Sequence, residues 1–183
     1  MRDNQEGFVV WLTGLPCSGK TTIARLLEKE IRRRGRRVEV MDGDEVRTNL
    51  SADLGFSKED RRRHAARVAF VSRLLSRNGV GVIVALISPY RAFRQHVRET
   101  VTNFVEVFVS CPVEACMERD VKGMYKKALA GEIKDFTGVD DPYEEPENPE
   151  ILIDSVSEEP EESAARIIGW LEEAGLLDNQ PGS

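Results

Sequence analysis

The sequence predicts a single α/β domain built on a parallel β-sheet. Short apolar runs of strand length alternate with segments whose apolar residues recur at helical spacing. One run, "VGVIVALIS", is apolar throughout, as suits a parallel strand covered on both faces. At 183 residues and 40% hydrophobic content, the chain can bury one substantial core and is short for two.

The first unit is "GFVVWLTG", an apolar run ending in glycine, followed by Ile23, Leu26, Leu27 and Ile31 at helical spacing. It reads as strand, loop and helix. The cationic stretch "RRRGRR" at residues 32–37 fits the end of that helix, where positive charge suits the dipole and Gly35 can cap. "VEVM" is the second strand and delivers "DGD" at its carboxyl end. A helix is expected from about Ser57, where "SKED" has the S-x-x-[DE] capping pattern, through Val68, Val71 and Leu75 to Gly79. "VGVIVALIS" is the third strand, "FVEVFVS" the fourth and "EILIDS" a short fifth, with a last helix near residues 160–174. Right-handed crossovers join parallel strands of this kind. Residues 119–149 break the alternation, yet carry Met124, Tyr125, Phe136 and Tyr143 between two strands, so they are expected to form a mobile lid. Residues 178–183 read as a flexible tail.

A net charge of −6 argues against nonspecific binding to nucleic acid or to an anionic membrane. No apolar run approaches bilayer length and the first residues lack a signal-peptide pattern, so a cytoplasmic protein is expected. Cys17, Cys111, Cys116, His64 and His96 are scattered with no C-x-x-C pair, which indicates reduced thiols rather than disulfides or zinc.

Gly14, Gly19, Lys20 and Thr21 satisfy G-x-x-x-x-G-K-[ST] between an apolar strand and an amphipathic helix, the context that makes the motif a phosphate-binding P-loop. The segment Gly14, Leu15, Pro16, Cys17, Ser18, Gly19, Lys20, Thr21 and Thr22 is therefore assigned to ATP. Its glycines let successive N–H groups face phosphate oxygens, Lys20 reaches the β- and γ-phosphates, and the Thr21 hydroxyl ligates Mg2+. Cys17 reads as a small loop residue without a redox role. There is no N-K-x-D for guanine and no L-S-G-G-Q, and the third strand ends "ALIS" without an acidic pair. These absences disfavour GTPases, transporter ATPases and hydrolytic Walker B enzymes, and leave a small P-loop kinase with a second, acceptor substrate.

Asp42 and Asp44 lie at the carboxyl end of a strand, where open α/β sheets bind ligands. Asp42 can hold a metal through water or take a proton from an acceptor hydroxyl. Arg61, His64 and Val68 share one helix face, so Arg61 and His64 are expected to look into the cleft and to favour an anionic acceptor. Glu59 and Asp60 offset the cations of that first turn, and Arg62 and Arg63 read as solvated. Phe56 and Phe136 sit in "LGFS" and "DFTG", either as core residues or as aromatics that sandwich a base.

From about residue 8 to residue 154 the chain resembles the adenylylsulfate kinases, through "GLPCSGKTT", "DGDEVR", "LGFSKEDR", "ISPYR", "KGMYKKALAGEI" and "FTGVDDPYEEP". The resemblance implies a P-loop kinase fold with a five-stranded parallel sheet of order 2-3-1-4-5. It also implies phosphorylation of the 3′-hydroxyl of adenosine 5′-phosphosulfate (APS) by MgATP to give PAPS, and commonly a homodimer. By matching positions, Lys20, Asp42 and Ser88 take the catalytic places, with Ser88 expected to touch substrate. Arg47 and Arg61 take those of the arginines on the phosphosulfate, Phe56 and Phe136 the pair that stacks the acceptor adenine. His64, Lys126 and Lys127 are assigned to the acceptor and Arg119 to the ATP base. The family pattern x-x-N-I-R-R is replaced here, with His64 for asparagine and Ala66 for arginine; Glu45 and Val121 are further departures. A different nucleotide-like acceptor, or a non-catalytic ATP-binding partner of a sulfurylase, are the alternatives.

Overall fold

The computed structural model describes residues 6–178, so most of the expected tail lies outside the described residues. The chain runs β1 (Val9–Thr13), α1 (Lys20–Arg33), β2 (Val38–Asp42), α2 (Gly43–Leu50), α3 (Lys58–Ser76), β3 (Gly81–Ala85), α4 (Arg91–Thr100), β4 (Phe104–Ser110), α5 (Val113–Arg119), α6 (Met124–Leu129), β5 (Ile151–Asp154) and α7 (Pro160–Glu173). The five strands form one parallel sheet in the order β2-β3-β1-β4-β5, as the family resemblance implied.

Alternation along the strands divides the core in two. Val10, Leu12, Ile83, Val105 and Val107 point to the face covered by α1 and α7, against Ile23, Leu27, Ile31, Ile167 and Leu171. Val9, Trp11, Val82 and Val84 point the other way, onto Val68 of α3 and Val97 of α4. Both faces of β1 and β3 are covered and every residue of these strands is buried. A third cluster, built from Cys111, Cys116, Tyr125, Ala128 and Phe136, fixes the lid against the P-loop side of the sheet.

The expected strands and the helices after β1, after Ser57 and at the carboxyl end are present, with differences at their limits. The third strand ends at Ala85 although the apolar run continues; Leu86 N still donates to Leu12 O at 3.2 Å, and Leu86 and Ile87 reach the wall of the cleft. Asp42 caps α2 by accepting a hydrogen bond from Asp44 N at 3.2 Å. α4 has no apolar stripe in the sequence to announce it, because its buried positions are Arg94 and Val97. Arg119, expected to open the lid, closes α5. Gly35 ends α1 with φ 73°, as expected of a helix cap.

Candidate active site

At the end of β1 the chain turns through Gly14 (φ 153°), Cys17 (φ 62°) and Gly19 (φ 102°). A Cβ on Gly14 would stand 2.4 Å from Val109 O, so only glycine fits. Lys20 opens α1, and its Nζ donates to Gly14 O at 2.9 Å, Leu15 O at 2.6 Å and Ser18 Oγ at 3.2 Å. Burial lowers the Lys20 pKa to about 8, against the partial opposition of nearby Cys116, Cys17 and Asp42. Thr21 Oγ1 donates to Asp42 Oδ2 at 2.7 Å, which brings together the hydroxyl and carboxylate assigned to a metal. Tyr125 Oη donates to Pro16 O at 3.1 Å and ties the lid to the loop. Leu15 packs among the apolar lid residues instead of lining the cleft.

The acceptor candidates converge from α2, the loop before α3, the start of α3 and the lid. Arg47 Nη1 donates to Gly55 O at 2.8 Å, and its guanidinium lies 4.4 Å from the Phe56 ring centroid. Phe56 stays 54% exposed and lines the cleft. Arg61 is buried; Nε donates to Phe56 O at 2.9 Å, Nη2 to Asp135 O, and Asp141 lies 3.7 Å away. His64 is buried with Nδ1 2.9 Å from Ser51 Oγ. Burial, and then Arg47, Arg67 and Arg61, push its pKa down to about 4, which leaves the ring neutral near pH 7. Phe136 meets Tyr125 edge-on at 5.0 Å.

One cleft of about 1320 Å³ joins these groups. Its walls include Lys20, Thr21, Asp42, Arg47, Phe56, Arg61, His64, Ser88, Phe136 and Arg119. Arg119 stands at the end near Val156, where Nη2 donates to Ser155 O at 2.6 Å. Arg62 pairs with Glu59 at 2.6 Å on the exposed side of α3, as read from sequence. Lys126 and Lys127 differ from expectation. α6 buries Tyr125 and Ala128, so the two positions between them turn outward, and neither lines the cleft. Lys122 and Lys134 line it instead, with Lys122 Nζ paired to the Asp44 carboxylate. The lysine-rich lid motif signalled cations at the site, but its spacing did not say which.

A sequence model of the family described as Adenylylsulphate kinase matches residues 6–154. Among similar proteins, the "Adenylyl-sulfate kinase" of Rippkaea orientalis (strain PCC 8801 / RF-1) is 58% identical over 173 residues, covering 94% of this chain and 96% of that protein. The "Probable bifunctional SAT/APS kinase 2" of Sorangium cellulosum (strain So ce56) is 56% identical over 172 residues; the match takes in 94% of this chain but spans 30% of that relative's length. The solved structure of the Mycobacterium tuberculosis APS kinase CysC in complex with AMPPNP and APS superposes with a TM-score of 0.88 at 41% identity, covering 91% of this chain and 98% of that one.

Proposed function

The chain belongs to the adenylylsulfate kinase family, and from that premise we propose that it transfers the γ-phosphoryl group of ATP to the 3′-hydroxyl of adenosine 5′-phosphosulfate, giving PAPS. The observation that carries the reading is the single cleft that joins the P-loop to the cluster of Arg47, Phe56, Arg61, His64 and Phe136. A relative solved with AMPPNP and APS together supports it.

The donor side supplies backbone N–H groups around the phosphates and a lysine that is largely cationic at neutral pH, since its pKa stays at about 8. Thr21 Oγ1 and Asp42 Oδ2, 2.7 Å apart, are hard oxygen donors that fit Mg2+ and would hold it. When bound, that ion neutralises charge on the β- and γ-phosphate oxygens. Asp42 accepts the proton of the acceptor hydroxyl at its carboxylate as the oxygen attacks in line. Arg47 and Arg61 bind the phosphosulfate, Phe56 and Phe136 hold the adenine between them, and neutral His64 hydrogen-bonds the acceptor. Ser88 contacts the acceptor, and Arg119 flanks the ATP base. The lid, tied to the loop by Tyr125, excludes water and so protects ATP from hydrolysis.

The substrate is a mixed anhydride of AMP and sulfate, so a sulfurylase that adenylylates sulfate must supply it. ATP as donor supports a cytoplasmic location, and no helix among the described residues is long and apolar enough to cross a membrane. The family resemblance supports a homodimer, which sedimentation measures. The decisive experiment is a coupled assay with APS, AMP and CMP as acceptors. Turnover with APS well above acceptor-free ATP hydrolysis is expected; turnover with another acceptor alone would replace this assignment.

A further inference from the structure

A buried polar assembly stands behind the cleft wall at Ser88. Trp11, wholly buried in β1, donates Nε1–H to Ser88 Oγ at 3.0 Å. An indole N–H is a donor only, so the serine oxygen is the acceptor in this bond. Ser88 Oγ makes no other hydrogen bond to the described residues, and no carboxylate or imidazole reaches it. The hydroxyl hydrogen therefore has one open direction, the cleft that Ser88 lines.

Arg94 sets the backbone of the same residue. Nη1 donates to Ser88 O at 2.5 Å, Nε to Glu106 Oε1 at 2.8 Å, and Nη2 to Glu144 O at 2.6 Å. One guanidinium thus joins the Ser88 turn to β4 and to the far end of the lid. Glu144 N closes the arrangement by donating to Pro89 O at 2.8 Å. Ser88 itself has φ 47°, a left-handed conformation that a non-glycine residue keeps only where its surroundings over-determine it.

We propose that Trp11 and Arg94 are positioning residues that hold Ser88 as a fixed hydrogen-bond donor, aimed at an anionic oxygen of the bound acceptor. The proposal rests on the kinase reading above. A serine whose oxygen accepts from an indole and has no base beside it keeps its proton, which is left to donate to the acceptor.

A double-mutant cycle of Trp11→Phe and Ser88→Ala tests this, read as kcat and KM for each substrate. Each single change is expected to reduce acceptor-side kcat/KM by about 3- to 10-fold with KM for ATP unchanged, and the double variant to be no worse than Ser88→Ala alone. Arg94→Lys keeps the charge but loses the fork, and the same acceptor-side loss is expected. Losses that multiply in the double variant would reduce Trp11 to a packing role and overturn the proposal. So would label from γ-labelled ATP that accumulates on the wild type and not on Ser88→Ala. If the wild type fails to turn over APS, the acceptor assignment falls instead. Ser88 is then read in the ligand-free protein: the Trp11 indole N–H resonance in an NMR spectrum should move on Ser88→Ala, and a resonance that stays in place sinks the proposal.

Discussion

His64 stands one helical turn beyond Arg61, buried among cations, and its pKa of about 4 has a consequence for stability. Between about 6.5 and about 4 the unfolded chain binds a proton that the folded chain refuses, so stability rises with pH across that window and is lost as pH falls through it. The full effect is on the order of 3 kcal/mol. His64→Asn removes this titration, and the drop in melting temperature from pH 7 to pH 5 should be smaller in the variant than in the wild type. Equal drops would place the acid-sensitive group elsewhere. Arg61 is the other residue whose burial matters. Two of its nitrogens already bond Phe56 O and Asp135 O, so its position is fixed before any ligand arrives. Arg61→Ala should reduce acceptor kcat/KM by about 10- to 100-fold and leave KM for ATP nearly unchanged; a similar loss on both substrates would count against its acceptor role. The inward direction of both side chains was legible from their spacing with Val68. Their partners were not, because Ser51 and Asp135 reach them through turns that have no period.

The helices differ in how openly the sequence displayed them. α3 carries its own start signal, with Ser57 Oγ accepting from Asp60 N at 3.2 Å, and was read to within a few residues. α4 places Arg94 in the core, where an apolar residue would have advertised the inward face. The cost of that burial is met by Glu106, 2.8 Å from Arg94 Nε and itself bonded by Arg98 at 3.2 Å. Glu106→Ala would strand a buried guanidinium, and chemical denaturation should show a loss of about 3–5 kcal/mol. α6 makes the opposite point, since its lysines were visible but their direction was not. With Tyr125 and Ala128 turned inward, the paired change Lys126→Ala and Lys127→Ala should leave KM for the acceptor within about twofold, as for exposed charges in water. A larger rise would mean that α6 rotates when the acceptor binds.

Across the whole molecule, the cleft is bounded by segments far apart in sequence that gather at the carboxyl ends of the parallel strands: the P-loop after β1, α2 after β2, the start of α3, and the lid. The P-loop could be recognised because its backbone demands glycine at fixed places, whereas the pairing order of the strands came only from family likeness, since periodicity does not reveal which strands are neighbours. Ligands that bridge these segments bind the folded state alone, so their binding must appear as stability. A donor analogue such as AMPPNP with Mg2+, at about 100 times its Kd, should contribute about 2.7 kcal/mol and raise the melting temperature by about 5–10 °C. Thr21 and Asp42 meet at 2.7 Å, so Thr21→Ala should remove most of the part of that shift that depends on Mg2+ while keeping the part seen with nucleotide and EDTA. Arg61→Ala, at the opposite end, should retain the whole donor shift and lose the further rise on adding an acceptor analogue. If instead both variants lost both shifts equally, donor and acceptor would not occupy separate ends of the cleft, and the division of labour assigned to its walls would have to be redrawn.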